Sequence, residues 1–270
     1  MKAKRLTAKQ LVQKAYNTED EDIYISYINQ LRKRGDDEVF QLAKNLIYSK
    51  DSLYREISAS ILSQFGYKTK LYRGESIYLL GRLLHDSSEG VVSTAIYGFG
   101  HRRCTRYTDK LVSFVSSQSI AIREALAFSL GGYENQKSID ALILLMQDEN
   151  HNVRNWSTFS LAQITESNTP KICDALYKNF FDENLEVRGE ALLGLALRKD
   201  KRAKDAIIED LQKPFYGSWI FSAIQEMPHE SYIPYFSIYI EHLDIADKEA
   251  FSDEIYKAKL AINKNIEATQ

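Results

Sequence analysis

A sequence pattern of about thirty residues recurs along this chain and constrains its fold more than any other feature. The copies "IREALAFSLG", "VRNWSTFSLA" and "VRGEALLGLA" each place an aliphatic residue first, an arginine second and a leucine ninth. The six copies, of which the last is weak, begin at Tyr54, Val91, Ile122, Val153, Val187 and Tyr216. Such a period is typical of proteins in which each unit buries its apolar face against its neighbours.

The pattern within each copy is helical. Apolar residues recur at spacings of three and four, as in "DALILLMQ" and "GEALLGLALRK", which is the period of an α-helix. Each copy follows a second apolar segment and a short turn, in which Asp86, Asp148 and Asp182 stand five residues before the first position. Asp, Asn and Ser in such turns cap a helix, so each unit is predicted to be helix A, a turn and helix B.

These residues resemble the HEAT-like repeat of the phycobilisome-lyase type, from roughly Asp36 to Met227. The resemblance implies an all-α fold, a right-handed α-solenoid of about seven to eight stacked helix pairs. We expect residues 1–270 to form one domain, with a capping helix pair at 7–34, repeats at 36–227 and capping helices at 230–265. The superfamily contains scaffolds, inhibitors, bilin lyases and DNA glycosylases, so the resemblance implies an architecture and leaves the activity open.

The arginine in the second position has two interpretations. Four copies carry it, as Arg55, Arg123, Arg154 and Arg188. A ladder of arginines is able to hold phosphates, but the resemblance implies a structural role in which each arginine bonds the turn aspartate or backbone carbonyls of an adjacent repeat. We therefore predict bidentate arginine–aspartate pairs that set the angle between repeats.

Aromatic residues occupy the flank of helix B opposite its core positions. In HEAT-like solenoids this flank lines the concave surface. The predicted partner-binding residues there are Tyr97, Phe128, Asn155, Trp156, Phe159 and Trp219, edged by Glu56, Glu124 and Glu190. Interfaces combine an aromatic centre with a charged rim, so we expect a protein-binding groove in which the tryptophans contribute to binding rather than to stability. In the alternative interpretation, the rings pack sideways on the adjacent helix.

Composition and charge narrow the remaining classes. The net charge of −2 gives no support to a dedicated nucleic-acid-binding domain. The five histidines and two cysteines show no metal-binding spacing, and no phosphate-binding or nucleophile motif occurs, so we expect neither a metal, a cofactor nor catalysis. The basic "HRRCTR" segment from His101 to Arg106 is most typical of a solvated loop. Without a long apolar run, the chain is expected to be cytoplasmic and to have no membrane partner.

Three functional classes remain open. We favour a non-enzymatic protein-binding solenoid, monomeric or in a complex with its partner, and within that class an inhibitor or immunity protein that covers a basic toxin such as a nuclease. The second class is nucleic-acid binding or DNA repair of the HEAT-like glycosylase type. It is disfavoured because the predicted concave positions carry no Asp, Lys or Arg. The third is a bilin-lyase-like chromophore chaperone, which only the repeat pattern supports.

Overall fold

The fold is all-α. The structure, a computed structural model, describes residues 6–66, 71–214 and 217–269, and these ranges contain seventeen α-helices and no strand. Tyr216, the predicted start of the sixth copy, lies outside them. The contacts group the chain into two compact units, Met1–Tyr133 and Glu134–Gln270. The single-domain organisation stays a prediction, and each unit is described by itself below.

Unit 1 is a stack of helix pairs. Its helices are α1 (Ala8–Tyr16), α2 (Glu21–Arg34), α3 (Asp37–Leu46), α4 (Ser52–Gln64), α5 (Arg73–Leu83), α6 (Glu89–Arg102), α7 (Thr108–Val112) and α8 (Ile120–Leu130). The B helices α4, α6 and α8 pack side by side, while α3 packs on α4 and α5 packs on both α4 and α6.

Unit 2 repeats this arrangement with different ends. Its helices are α9 (Gln136–Leu145), α10 (His151–Phe159), α11 (Pro170–Asn179), α12 (Leu185–Leu197), α13 (Arg202–Asp210), α14 (Trp219–Glu226), α15 (Ile233–His242), α16 (Ile245–Ala250) and α17 (Ser252–Thr269). The B helices α10, α12 and α14 are neighbours, and α17 packs on α14. Residues Ser160–Ile164 continue α10 as a π-helical turn.

The core consists of the positions that the repeat pattern singles out. The first residue of a copy is completely buried at Val91, Val153 and Val187, and so is the ninth at Phe99, Leu161 and Leu195. Small residues between them let neighbouring B helices approach closely. In unit 2, a Cβ added at Gly194 would lie 2.7 Å from the Cβ of Ala162. The repeat pattern therefore specifies which face of each helix is buried away from water.

The turn aspartates do not cap the following helix directly. The N-cap of α10 is Asn150, whose side chain accepts from the backbone N–H of Val153, and the N-cap of α12 is Asn184. Asp148 and Asp182 stand two residues earlier, where each accepts a hydrogen bond from the N–H of the N-cap residue itself. Asp182 does not cap α12 itself because its carboxylate forms an ion pair with Arg154 of the preceding repeat.

That arginine joins consecutive repeats within a unit. In unit 2, Arg154 donates from Nε and Nη2 to both oxygens of Asp182, at 2.7 and 2.9 Å. Its Nη1 donates to the carbonyls of Asp148 and Glu149 in the turn between α9 and α10. In unit 1, Arg55 forms the same bidentate pair with Asp86, at 2.6 and 2.7 Å. One guanidinium thus connects three segments through charge-assisted bonds.

Arg123 and Arg188, the other two ladder arginines, also bond groups outside their own helices. Arg123 donates to the carbonyls of Ser117 and Gln118, which correspond to the carbonyls used by Arg154. Arg188 approaches Asp210 of α13 at 3.3 Å, and that carboxylate is 1% exposed. Asp210 lies in helix A itself rather than in the following turn, so Arg188 has a different partner from the predicted one.

A second series of inter-repeat bonds was not predicted. The donors stand eleven residues after the first position of a copy and are Arg102, Tyr133 and Arg198. Each side chain donates to a carbonyl at the C-terminal end of the preceding B helix, as Arg102 does to Leu62 at 2.5 Å and Tyr133 to Phe99 at 3.1 Å. Arg198 caps α10 and its π turn in the same way, by bonds to Leu161 and to Ala162. These donors satisfy carbonyls that a helix end leaves without intrahelical partners.

We expect the buried arginine–aspartate pair to contribute far more to stability than an exposed one. Arg154→Gln should lower the free energy of unfolding by about 2 kcal/mol, between the effects typical of exposed and fully buried pairs. The matched control is Lys171→Gln, which removes an ion pair whose side chains are 56% and 45% exposed. It should cost less than about 1 kcal/mol in urea denaturation. Equal losses in the two variants would contradict a structural role for Arg154.

Candidate functional site

The B helices of unit 2 present one continuous face. Because α10, α12 and α14 lie side by side, the residues on their outward flank are brought together from three repeats. We define the indole face as these five residues: Trp156, Phe159, Gln163, Glu190 and Trp219. Four of them are predicted partner-binding residues, and Gln163 was not predicted.

Trp156 is the most exposed aromatic residue of the indole face. Its side chain is 37% exposed, whereas Phe159, one helical turn further along α10, is half-buried. The two rings meet edge to face, with centroids 5.8 Å apart and planes at 88°. This arrangement suits the quadrupoles of aromatic rings and holds the indole in one orientation. The structure therefore keeps a large apolar surface in contact with solvent.

Glu190 connects all three B helices of the face. Its carboxylate accepts a hydrogen bond from Nε2 of Gln163 at 2.5 Å and another from Nε1 of Trp219 at 2.9 Å. Gln163 belongs to the π turn after α10, and such turns are frequent at functional sites because they redirect the residues that follow. The network fixes Trp219 and Gln163 relative to α12.

A glycine explains how Trp219 reaches this position. Gly189 precedes Glu190 on α12, and a Cβ added there would lie 2.4 Å from Cδ2 of Trp219. The indole is thus seated directly on the backbone of the neighbouring helix. The absence of a side chain at residue 189 is the feature that admits the ring.

The expectation that Glu190 edges an exposed groove is wrong. The residue is only 8% exposed, because the ring of Trp219 and the amide of Gln163 cover it. Burial raises the pKa of its carboxyl above the usual value, the two hydrogen bonds oppose this shift, and the negative charge of Glu186 adds to it. Glu190 is therefore a buried residue that holds Gln163 and Trp219 in place on the indole face.

The expected role of Trp219 also changes. Its half-burial, its seat on Gly189 and its bond to Glu190 give it a part in the packing of α14 on α12. A substitution that removes the ring would leave a gap over Gly189 and deprive a buried carboxylate of a donor. The prediction that Trp219 contributes to binding and little to stability does not fit this environment. Trp156, by contrast, has the solvent exposure that a binding role requires.

A carboxylate that sequence reasoning missed stands beside the face. Nδ2 of Asn155 donates to Oε2 of the exposed Glu186 at 3.2 Å. Glu186 lies in the first turn of α12, where the helix dipole favours negative charge. Its position just before the first residue of the copy was the available signal, but it lay outside the offsets assigned to the groove. Asn155, a predicted binding residue next to Trp156 in the sequence, thus connects α10 with this carboxylate.

The corresponding residues of unit 1 pack sideways. Tyr97 and Phe128 are both half-buried, with ring centroids 5.4 Å apart, and His101 meets Phe128 edge on at 5.7 Å. Burial, together with the charge of Glu124, raises the pKa of Tyr97. The alternative interpretation, mutual packing of neighbouring B helices, describes these rings well, and their exposed parts still form an aromatic strip.

The two acidic residues predicted to edge unit 1 are half-buried. Glu56 places Oε2 against Gly90 in the first turn of α6, where a Cβ would lie 2.8 Å from it. A carboxylate there interacts favourably with the helix N-terminus, while burial raises its pKa. Glu124 stands one turn before Phe128 on α8. Both residues keep part of their surface in solvent, and their role in binding stays a prediction.

Across residues 6–66, 71–214 and 217–269, no three His, Cys, Asp or Glu side chains are placed to hold a metal ion together. Over the same stretches, every helix is too short or too polar to cross a bilayer.

Comparisons with known proteins place this fold among repeat proteins. A family model for HEAT repeats matches residues 108–180. The protein YibA of Escherichia coli K12 is 30% identical over 242 residues, which cover 87% of this chain and 85% of YibA, and YibA of strain O157:H7 matches equally.

Solved structures agree with this assignment. The crystal structure of E. coli YibA matches with a TM-score of 0.70 at 26% identity, covering 96% of this chain and 93% of that one. The complex of CpcE and CpcF of phycocyanin lyase from Nostoc sp. PCC7120 matches with a TM-score of 0.51 at 14% identity, over 98% and 96% of the two chains. The second likeness concerns the fold alone.

The buried carboxylate predicts a specific pH dependence. Because the pKa of Glu190 is raised in the folded state, the folded protein holds its proton to higher pH than the unfolded chain, whose carboxyl has a value near 4.5. The free energy of unfolding should therefore decrease as the pH rises from about 4.5 through the raised pKa. Glu190→Gln should remove this decrease in urea titrations between pH 4.5 and 8.

The matched control is Glu267→Gln, which neutralises an exposed glutamate on α17. Its pH profile should run parallel to that of the wild type. Parallel profiles for the wild type and Glu190→Gln would show that the carboxylate of Glu190 does not titrate as described.

Proposed function

The chain belongs to the HEAT-repeat family that includes YibA of E. coli, and from that premise we propose that it is a non-enzymatic, partner-binding protein whose indole face binds a basic segment of another protein. The observation that carries this proposal is Trp156, a tryptophan 37% exposed and oriented by Phe159 on a face assembled from three repeats. Tryptophans of this kind dominate the binding energy of protein interfaces.

The rigidity of the face supports binding. Trp156 is oriented by an edge-to-face contact, and Gln163, Glu190 and Trp219 are joined by hydrogen bonds beside it. A side chain that is already held in its bound orientation loses little conformational entropy on association. The hydrogen bonds around Glu190 thus give a partner a rigid surface to bind.

The charges around the indole favour a basic partner. Glu186 is exposed next to Asn155, and Glu190 lies beneath the face. An arginine or lysine of the partner that lies over Trp156 gains a cation–π contact and an ion pair with Glu186 at the same place. Glu124, whose charge acts on Tyr97 in unit 1, offers the same combination on a second, more closely packed strip with Phe128.

Inhibition of a basic toxin is the form of partner binding that this charge pattern fits best. Nucleases and other enzymes that act on polyanions have basic clefts, and an acidic aromatic face is complementary to such a cleft. The likeness to phycocyanin lyase extends to the fold only and gives no reason to assign lyase chemistry here.

We expect Trp156 to identify the partner and to dominate its binding. A photo-crosslinking amino acid placed at residue 156 should capture a basic protein that mass spectrometry identifies. Trp156→Ala should then weaken the affinity for that protein by about 2 kcal/mol, or roughly thirtyfold, in calorimetric titration. The melting temperature should change little, because the ring is substantially exposed.

The control is Tyr256→Ala on α17, which removes an aromatic side chain that is 65% exposed and lies outside the indole face. It should leave the affinity unchanged. Equal crosslinking from residues 156 and 256, or equal losses of affinity, would exclude the indole face as the binding surface.

Inhibition is tested separately by co-expression. A toxin captured through residue 156 should be neutralised in cells by the wild type and the Tyr256→Ala variant, whereas the Trp156→Ala variant should protect poorly. A captured partner that is not toxic would contradict the inhibitor role, and so would a toxin that all three proteins neutralise equally. In either case the affinity measurement alone tests whether the indole face is the binding surface.

A further inference from the structure

An arginine-rich cavity in unit 1 has no role in the proposed partner binding. It has a volume of about 780 Å³ and is lined by Gln64, Gly66, Arg73, Gly100, His101, Arg102 and Arg103. A smaller cavity of about 440 Å³ also includes Gln64 among its lining residues, and it adds Arg32 and Tyr24. The volume of the larger cavity is within the range of small-molecule sites.

Arginines collect here because two B helices end here. Arg32 of α2 donates to the carbonyl of Ser60 at 2.6 Å, and Arg102 donates to those of Leu62 and Phe65 at the end of α4. Arg73 in turn donates to the carbonyl of Arg102 at the end of α6. These bonds explain why the side chains converge, since guanidinium groups cap helix C-termini favourably.

Capping does not balance the charge. The C-terminal end of a helix carries about half a negative charge, so α4 and α6 together offer about one. Three guanidinium groups, of Arg32, Arg73 and Arg102, bond these two helix ends, and none of them pairs with a carboxylate within the described part of the chain. An excess of about two positive charges therefore remains.

The most buried of the three has unused hydrogen-bonding capacity. Arg102 is only 3% exposed, and among the described residues its Nε–H has no hydrogen-bond acceptor. Burial and the charges of Arg73 and Arg32 lower its pKa to about 10, and burial lowers that of Arg32 to about 10 as well. Both values lie well above neutral pH, so both groups remain charged.

His101 adds a neutral polar group to the wall. Burial and the charges of Arg32 and Arg102 lower its pKa, which keeps the ring uncharged at neutral pH. Nε2 of Gln64 stands 3.0 Å from Nε2 of His101. Because the amide nitrogen is a donor, the ring nitrogen accepts and the proton of the imidazole is on Nδ1.

We propose that this cavity binds the oxyanion group of a small anionic molecule, a phosphate or a carboxylate, held chiefly by Arg73 and Arg102 at the C-terminal ends of α4 and α6. The planar guanidinium group is suited to both oxyanions, because it presents paired donors at the spacing of their oxygens. An anion here offsets the excess charge and stabilises the junction of α4 with α6.

The test uses inorganic phosphate and acetate as probes, with sodium chloride at equal ionic strength as the reference. One of the two oxyanions should raise the melting temperature saturably and give a binding isotherm in calorimetry, and the better probe identifies the oxyanion class. Stabilisation by chloride equal to that by both oxyanions would show general screening and overturn the proposal.

Two variants of the same helix separate binding from net charge. Arg73→Gln should weaken the affinity for the better oxyanion about tenfold or more, because it removes a charged donor. Arg82→Gln makes the same charge change on α5 at an exposed residue whose guanidinium contacts Tyr48, and it should bind as the wild type does. Equal losses in the two variants would refute the site.

The oxyanion site and the indole face have no residue in common, and binding measurements on the variants test whether they act independently. The Trp156→Ala variant should bind the oxyanion normally, and the Arg73→Gln variant should still bind the protein partner. Arg102→Gln should abolish oxyanion binding but also remove a cap of α4, so its melting temperature is expected to be lower even without a ligand.

Discussion

In two of the repeats, a single guanidinium group holds together parts of this protein that the sequence places far apart. Arg154 bonds two carbonyls of the turn before its own helix and both carboxylate oxygens of Asp182 in the next turn, and Arg55 does the same with Asp86. These contacts combine hydrogen bonds to the turn backbone with a charge pair that is largely shielded from water. They fix each B helix beside the next one within its unit.

The positions of the B helices determine which residues come together on their outward flank. When α10, α12 and α14 are held side by side, single residues from three repeats form a common surface, which no single helix provides. In unit 2 that surface contains an exposed indole on a hydrogen-bonded floor, while in unit 1 the rings of Tyr97 and Phe128 pack against each other. The same repeat geometry thus gives surfaces of different character, because the side chains at the flank differ.

The fold could be predicted from the sequence because its determinants repeat. The helix period, the buried first and ninth positions and the arginine at the second position recur in several copies, and recurrence distinguishes a structural requirement from chance. Asp210 is an informative failure: the partner of Arg188 comes from inside helix A, where the pattern of turn aspartates gives no signal. The series at Arg102, Tyr133 and Arg198 was detectable in principle, but two residue types fill one role and conceal the repetition.

The candidate site was harder to predict because it depends on single, non-repeated substitutions. Gly189 occurs in one copy only, yet it admits the ring of Trp219 and thereby buries Glu190. The π turn that directs Gln163 toward the same carboxylate has no recognisable sequence signal. Helix-wheel reasoning placed Glu190 and Trp156 on one flank but did not show which of them would be covered, since coverage depends on the neighbouring helix.

Hydroxyl-radical footprinting of the tryptophans, with and without a basic protein partner, tests the central claim most directly. The account predicts that Trp156 is oxidised readily in the free protein and becomes protected in the complex, while Tyr256 remains equally reactive in both. Unchanged oxidation of Trp156 in a complex that protects another part of the chain would contradict binding through the indole face.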